Sequence, residues 1–311
     1  MEEKLETSQG CVTSATVPQL RGVTTVSYPS PVRGPGGGRS KEEGGLPSSG
    51  DRLLAVLGLF TIERPEWTVE DAAVQLGVSA TTAYRYFKRL TRAGLISPVS
   101  GASYTLGPAI IQMDRQIQLC DPMLNAARGV MTELIEHASE GGAVLLCRLF
   151  HDRVMCVHQE MGRGPQEPIV FQRGRPMPLF RGATSKIILA HLPNRTLKSL
   201  FTANAAEIAT AGLGQSWEDF RRHLAAFRRA GYAAASGDVD QVRAAVAAPV
   251  FGARRAVIGS LSFLVPKPRY DEVLRARLAP LVIASARNIE AAMQADDTEG
   301  QASRPRVRVS R

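Results

Sequence analysis

The sequence predicts an α+β protein: an N-terminal winged helix-turn-helix followed by a larger domain of mixed strands and helices. Three observations carry this. Three short helical patterns and two strand-like runs follow one another over residues 51–107. After Gly141-Gly142 the texture changes to apolar strand-like runs interleaved with helices, the pattern of an α+β domain. An apolar content of 44% in 311 residues supplies material for about two ordinary cores.

Residues 1–50 stand apart, with 9 Gly, 5 Pro and 12 Ser and Thr. A stretch such as Pro29 to Gly38 sustains neither helix nor strand, so 1–50 reads as a disordered tail, or alternatively as chain ahead of a later start. Order is expected from Asp51, where Leu53, Leu54, Val56, Leu57 and Phe60 recur at helical spacing up to about Glu63. Thr68 is a good N-cap for a second helix, with Asp71 as a weak capping-box partner and Gly77 as its stop. Ser79 caps a third helix from Ala80 to about Ala93, closed by Gly94. Leu95-Ile96 and Tyr104 to Leu106 read as two strands around a Ser97–Ser103 turn.

Pro108 to about His137 is helical again, broken at Asp121-Pro122 into two helices, and residues 108–141 read as a linker. The second domain, 142–295, has strand candidates at Ala143–Leu149, Val154–Gln159, Ile169–Phe171, Tyr232–Ala235, Ala244–Val250 and Val257–Phe263. Helices fit Ala183–His191, Arg195–Ala203, Trp217–Ala230 and Asp271–Ala295. Residues 296–311 read as a polar, Arg-rich, disordered tail.

The order helix, helix, helix, strand, strand at 51–107 describes a winged helix-turn-helix. Gly77 sits where the turn wants positive φ, and Val78 plugs the turn. Ala83, Tyr86 or Phe87, and Leu90 form the inward stripe of the third helix, which turns Thr81, Thr82, Tyr84, Arg85, Lys88 and Arg89 outward. The threonines can bond phosphate or base edges, Arg85 a guanine or a phosphate, and Ser79 adds an N-terminal phosphate site. The wing offers Ser97, Ser100 and Ser103 and no base. Residues 51–71 carry five acids and two bases, whereas 79–107 carry four bases and no acid, so the domain is polarised toward a polyanion. These features point to double-stranded DNA; the alternative is a winged helix that contacts protein or RNA.

Other classes are excluded or disfavoured. No window holds 18 uninterrupted apolar residues, so no membrane span is expected. The acidic start MEEKLETSQG is no secretory signal, and four cysteines without CxxC are no disulfide framework; a cytoplasmic location is expected. Cys147, His151, Cys156 and His158 cluster near one hairpin, but their spacing matches no zinc motif, so no metal is expected. There is no G-x-S-x-G, Walker A or H-E-x-x-H, so neither catalysis nor a cofactor is expected. Arg221-Arg222 and Arg228-Arg229 fall along one helix side and read as a solvated face.

The chain resembles the IclR family of bacterial transcriptional regulators over about residues 50–295. The resemblance rests on Ser79 to Leu90, Ala93-Gly-Leu-Ile96 and Tyr104-Thr-Leu-Gly107, then on Gly174 to Ala190, Ala230-Gly-Tyr232, Ala247-Ala-Pro-Val250 and Ile258-Gly-Ser-Leu-Ser262. It implies a repressor or activator, a homodimer or tetramer, reading a pseudo-palindromic operator. It implies a GAF-like C-terminal domain that binds a small effector, commonly a carboxylic or aromatic acid. The linker helix would help dimerisation.

By matching positions, the family's effector pocket falls on Ala183, Thr184, Ser185, Ala235, Asp238, Ala245, Ser262 and Leu264. Gly182 to Ser185 would offer backbone N–H groups to an anionic ligand. The chain departs from the family. Members often carry Gly at Ser185 and Glu at Asp238; a pocket Asp aligns with Ala235, a Cys with Ala245 and a second Ser with Leu264. Ser262 is retained. Lost polarity implies a roomier, more apolar pocket and a larger or aromatic effector.

Charge location qualifies the net +9. The excess lies in residues 143–295, at +10, while 51–107 contribute only +1. The DNA signal is therefore polarity within the first domain, and the surplus fits an anionic effector or a basic outer face.

Overall fold

The computed structural model describes residues 48–302 except 139, 151–152, 165–168 and 171. The tail expected at 1–50 lies, apart from its last three residues, outside the described residues.

The first helix, α1 (Ser49–Ala55), is shorter than the periodicity predicts. Ser48 caps it in a complete capping box with Asp51. The chain then tightens into a 3-10 turn at Leu57–Leu59. There the Leu59 carbonyl accepts the Trp67 indole N–H at 2.9 Å, and Phe60 is already extended. Trp67–Thr68 form a two-residue strand, β1, too short to show alternation in sequence.

Thr68 caps α2 (Val69–Leu76) by accepting the Asp71 N–H, but the Asp71 carboxylate does not return to the cap: it pairs with Arg64 at 2.5 Å. Gly77 closes α2 at φ +62°, and Ser79 caps α3 (Ala80–Arg92). Strands β2 (Ile96–Pro98) and β3 (Ser103–Leu106) complete a three-stranded antiparallel sheet in the order β1-β3-β2. Both Tyr86 and Phe87 are buried, with Ala83 and Leu90, against Ala72, Ala73 and Ile96. Phe87 meets Tyr104 edge-on, at 5.0 Å between ring centroids.

Two helices follow and meet at Asp121, as predicted. α4 (Pro108–Cys120) buries no residue. α5 (Pro122–Ile135) buries Met123, Leu124, Ala127, Met131, Leu134 and Ile135 in the core of the second domain. So only α4 spans between the two cores. Asp121 caps α5 through the Leu124 N–H and takes both arms of Arg148, at 2.6 and 3.1 Å. Arg173 pairs with Asp114 of α4. One arginine of the second domain therefore grips the α4–α5 joint, and a second holds the body of α4.

The second domain is built on a six-stranded antiparallel sheet in the order β6-β5-β4-β9-β8-β7. Its strands are β4 (Ala143–Phe150), β5 (Arg153–Met161), β6 (Pro176–Pro178), β7 (Ala233–Ser236), β8 (Arg243–Phe251) and β9 (Val257–Pro266). The strand expected at Ile169–Phe171 is not formed at Ile169 or Val170; Phe171 lies outside the described residues. The edge strand is instead β6, whose two prolines hide it from a propensity reading but suit an edge.

Alternation divides the sheet. Val144, Leu146, Leu261, Phe263 and Val265 face α5 and α9 (Glu272–Ala302). Leu145, Cys147 and Leu264 join the core formed with α6 (Gly182–Ala190), α7 (Asn194–Thr210) and α8 (Trp217–Ala230). α9 continues through Ala302, past the start of the tail expected at 296. A formed helix propagates into polar sequence at little cost, so polarity alone misplaced that boundary. Residues 303–311 lie outside the described residues.

Candidate nucleic-acid interface and small-molecule cavity

The outward face of α3 is as the stripe predicts. Ser79, Thr81, Tyr84, Arg85, Lys88 and Arg89 are exposed and Thr82 is half-buried. Ser79 accepts the Thr82 N–H at 3.3 Å and donates its hydroxyl to Thr82 Oγ1 at 2.9 Å. Tyr84 is 57% exposed, an aromatic ring left in water beside the bases. Arg85, Lys88 and Arg89 make no ion pair with any described residue. In the wing, Ser103 is committed to Glu66 at 2.8 Å.

The second site is a cavity of about 60 Å³ between the start of α6, the loop after β7 and the α6-facing side of the sheet. It gathers six of the eight residues expected there: Ala183, Thr184, Ala235, Asp238, Ala245 and Leu264. Cross-strand register explains the last of these, because Ala235 lies opposite Ala245 and Ala245 opposite Leu264 in one row over β7, β8 and β9. Gly182, at φ +74°, lets the β7–β8 loop approach; a Cβ there would meet the Val239 side chain at 2.9 Å.

Ser185 and Ser262 are not walls of this cavity. Ser262 is fully buried behind it, its hydroxyl 2.9 Å from the Thr184 hydroxyl, and Ser260 donates to the Thr184 carbonyl at 3.1 Å. Ser185 is also fully buried, on α6, and its hydroxyl finds no partner among the described residues.

Beyond Asp238, sequence reasoning missed the charged residues of the cavity and its surroundings. Arg181, exposed at the N-cap of α6, makes no hydrogen bond or ion pair with any described residue. Lys186 is held by Asp238 at 2.5 Å. Arg243 is buried, donating to the Gly141 carbonyl at 2.5 Å and lying 3.5 Å from Asp240. Arg181 adjoins a segment the resemblance had marked; nothing in the local sequence marks Arg243 as buried.

The cysteine and histidine cluster dissolves. Cys147 and Cys156 are cross-strand partners, both fully buried, and burial with the neighbouring thiol raises the Cys147 pKa well above its ordinary value. His158 bonds Glu160 at 2.9 Å, and His151 lies outside the described residues. Among the described residues no His, Cys, Asp and Glu group is placed to hold a metal. The arginine face on α8 is not merely solvated: Arg228 donates to the Ala190 carbonyl at 2.6 Å, closing the end of α6.

The comparison with known families agrees with this architecture. The model described as "Bacterial transcriptional regulator IclR C-terminal" matches residues 121–291, and that of the IclR helix-turn-helix domain matches 49–100. The chain belongs to the IclR family. It is 23% identical over 222 residues to the HTH-type transcriptional regulator KipR of Bacillus subtilis, covering 71% of this chain and 87% of that one. The fold matches an IclR-type regulator of Alicyclobacillus acidocaldarius with a TM-score of 0.66 at 24% identity, over 79% of this chain and 98% of the other. It also matches an IclR homologue of Microbacterium hydrocarbonoxydans complexed with 4-hydroxybenzoate, with a TM-score of 0.64 at 20% identity, over 80% and 100% of the two chains. IclR proteins are transcriptional regulators rather than enzymes. No helix among the described residues is long and apolar enough to cross a membrane.

Proposed function

We propose that this IclR-family regulator binds a double-stranded DNA operator through α3 and is controlled by a small organic acid in the α6 cavity. The carrying observation is the exposed, unpaired basic face of α3 behind a fully buried stripe. Thr81, Thr82 and Ser79 would take phosphates or base edges, Arg85 a base, and Tyr84, Lys88 and Arg89 the flanking backbone. Operation as a homodimer or tetramer in the cytoplasm goes with this reading.

The cavity favours an anion. Arg181 is an uncommitted cation beside the free N–H groups of the first turn of α6. Leu145, Met177, Ala245 and Leu264 supply apolar walls. At about 60 Å³ the cavity is far below the ~300 Å³ at which ligand pockets ordinarily begin. An aromatic acid such as the 4-hydroxybenzoate of the Microbacterium homologue needs the cavity to widen. A ligand that binds only the widened state shifts the population toward it, and that difference is the source of any switching. The hold of Arg148 on the α4–α5 joint and of Arg173 on α4 offers a route from the second domain to the DNA-facing domain.

The test is fluorescence anisotropy of the full chain with DNA from upstream of its own gene, at rising salt, with and without 4-hydroxybenzoate. The expected result is a sequence-preferring complex that weakens steeply with salt and responds to the acid. Absence of a sequence-preferring complex transfers the winged helix to protein or RNA contacts.

A further inference from the structure

The two edges of the six-stranded sheet are made differently. β6 closes one edge with Pro176 and Pro178, which have no backbone N–H to offer a further strand. β7 forms the other edge, and Tyr232-Ala-Ala-Ala-Ser236 holds no proline, no charge and no bulge. Edges left in water are ordinarily blunted by one of these devices.

Register shows what the open edge presents. The Gly237 N–H donates to the Arg243 carbonyl at 3.1 Å. Hydrogen-bonded pairs alternate along an antiparallel ladder, so Ala235 bonds toward β8 through its pair with Ala245, and Ala233 through Ala247. Tyr232, Ala234 and Ser236 therefore turn their N–H and C=O groups outward. No backbone hydrogen bond from any other described segment reaches them. These residues are accessible: Ser236 is exposed, and Tyr232 and Ala234 are half-buried. Charge flanks the strand, with Arg229 at the end of α8 before it and Asp238 after it, both exposed.

We propose that β7 is an interaction surface for a second copy of the chain, the two β7 strands pairing antiparallel about a two-fold axis at Ala234. Ala234 then lies opposite its own counterpart, and Tyr232 opposite the partner's Ser236. Three such pairs exchange about six backbone hydrogen bonds. The same register sets the basic end of each strand, at Arg229, toward the acidic end of the other, at Asp238; a parallel pairing would set like charge beside like. The proline edge at β6 keeps the joined sheet from growing further, so the contact closes on two copies. The surface belongs to the second domain alone and depends neither on α4 nor on DNA binding. Ala235 and Asp238 also line the α6 cavity, so the joint carries part of the wall of each copy's cavity.

The experiment is sedimentation of the full chain combined with hydrogen exchange of the peptide spanning residues 232–237, in wild type, Ala234→Pro and Ser236→Lys. Proline at 234 removes an outward N–H and no bond to β8, and lysine at 236 places a charge on the edge at an exposed position. Each variant should sediment with half the mass of wild type, whether that mass is four copies or two. The 232–237 peptide should exchange faster in each variant than in wild type, with thermal unfolding little changed in Ser236→Lys. Unchanged mass in both variants overturns the proposal. So does a halved mass without faster exchange over 232–237, because the contact between copies would then lie elsewhere.

Discussion

The two candidate sites are built in opposite ways. The α3 face is convex and made from one continuous segment: a buried stripe on one side leaves Thr81, Arg85, Lys88 and Arg89 outside. The α6 cavity is concave and made from five separate stretches of chain, brought together by strand register and one close glycine contact. A convex site asks only that a helix keep its period. A concave site asks that the whole domain pack correctly, and its polar groups must settle their partners before any ligand arrives. Asp238 and Arg243 have done so, leaving Arg181 at the rim as the cavity's open cation; on α3 all three bases are open.

The strongest way to break this comparison is to remove the stripe. Phe87 is 1% exposed and sits edge-on to Tyr104. Phe87→Ala should cost about 3–5 kcal/mol, because the cavity cannot collapse within so small a core. All core neighbours of Phe87 belong to the first domain. The expected outcome is an early thermal transition confined to that domain, with DNA binding lost and the sheet domain protected in hydrogen exchange. A single shifted transition for the whole chain would instead show that α4 couples the two cores tightly.

Arg85→Ala sharpens the same side without touching the fold. Arg85 is exposed and unpaired, so stability should change by less than about 0.5 kcal/mol. Operator affinity should fall by roughly 1–3 kcal/mol if the guanidinium reads a base. Anisotropy with matched and scrambled operators distinguishes a base contact, which loses discrimination, from a phosphate contact, which weakens both equally.

The sheet domain should answer to pH instead. His191, between Arg228 and Arg255 and edge-on to Phe251, has its pKa lowered to about 4, first by burial and then by the two arginines. A histidine depressed in the folded state is neutral there but takes a proton on unfolding below its ordinary value near 6.5. Its share of stability is full above pH ~6.5 and is lost as pH falls toward 4. Allowing for partial solvent access, the loss is about 1.5 kcal/mol. Urea unfolding at pH 7 and pH 4.5 should show that His191→Gln loses less stability on acidification than wild type. Equal losses would remove His191 from the account.

How much was legible in the sequence follows the same division. The inward stripe of α3, the caps at Thr68 and Ser79, the stop at Gly77 and the Asp121-Pro122 joint are local signals, and each was read correctly from neighbouring residues. The two-residue strand β1 and the proline edge strand β6 carry no periodicity to read. Within the cavity, Ala235, Ala245 and Leu264 were reachable only through family resemblance, since nothing in three separated apolar residues announces that they share a row. The buried Arg243 and the closing contact of Arg228 on Ala190 depend on the tertiary fold alone. Resemblance also assigned Ser262 to the site without saying that Thr184 stands in front of it.

That arrangement sets the last and smallest test. In Ser262→Ala the buried Thr184 hydroxyl loses its 2.9 Å partner, while the Thr184 carbonyl keeps Ser260. The cost should be about 1 kcal/mol, and the protein should remain folded. Thr184 lines the cavity, so its unpartnered hydroxyl is then free to reorient toward a ligand. The variant should therefore change the melting shift produced by 4-hydroxybenzoate even though Ser262 never meets it. Thr184→Val, which removes the hydroxyl at the wall itself, should change that shift further. If Thr184→Val alters the response and Ser262→Ala does not, the retained serine is packing for α6 and no part of recognition; if neither does, the concave site lies elsewhere on the sheet.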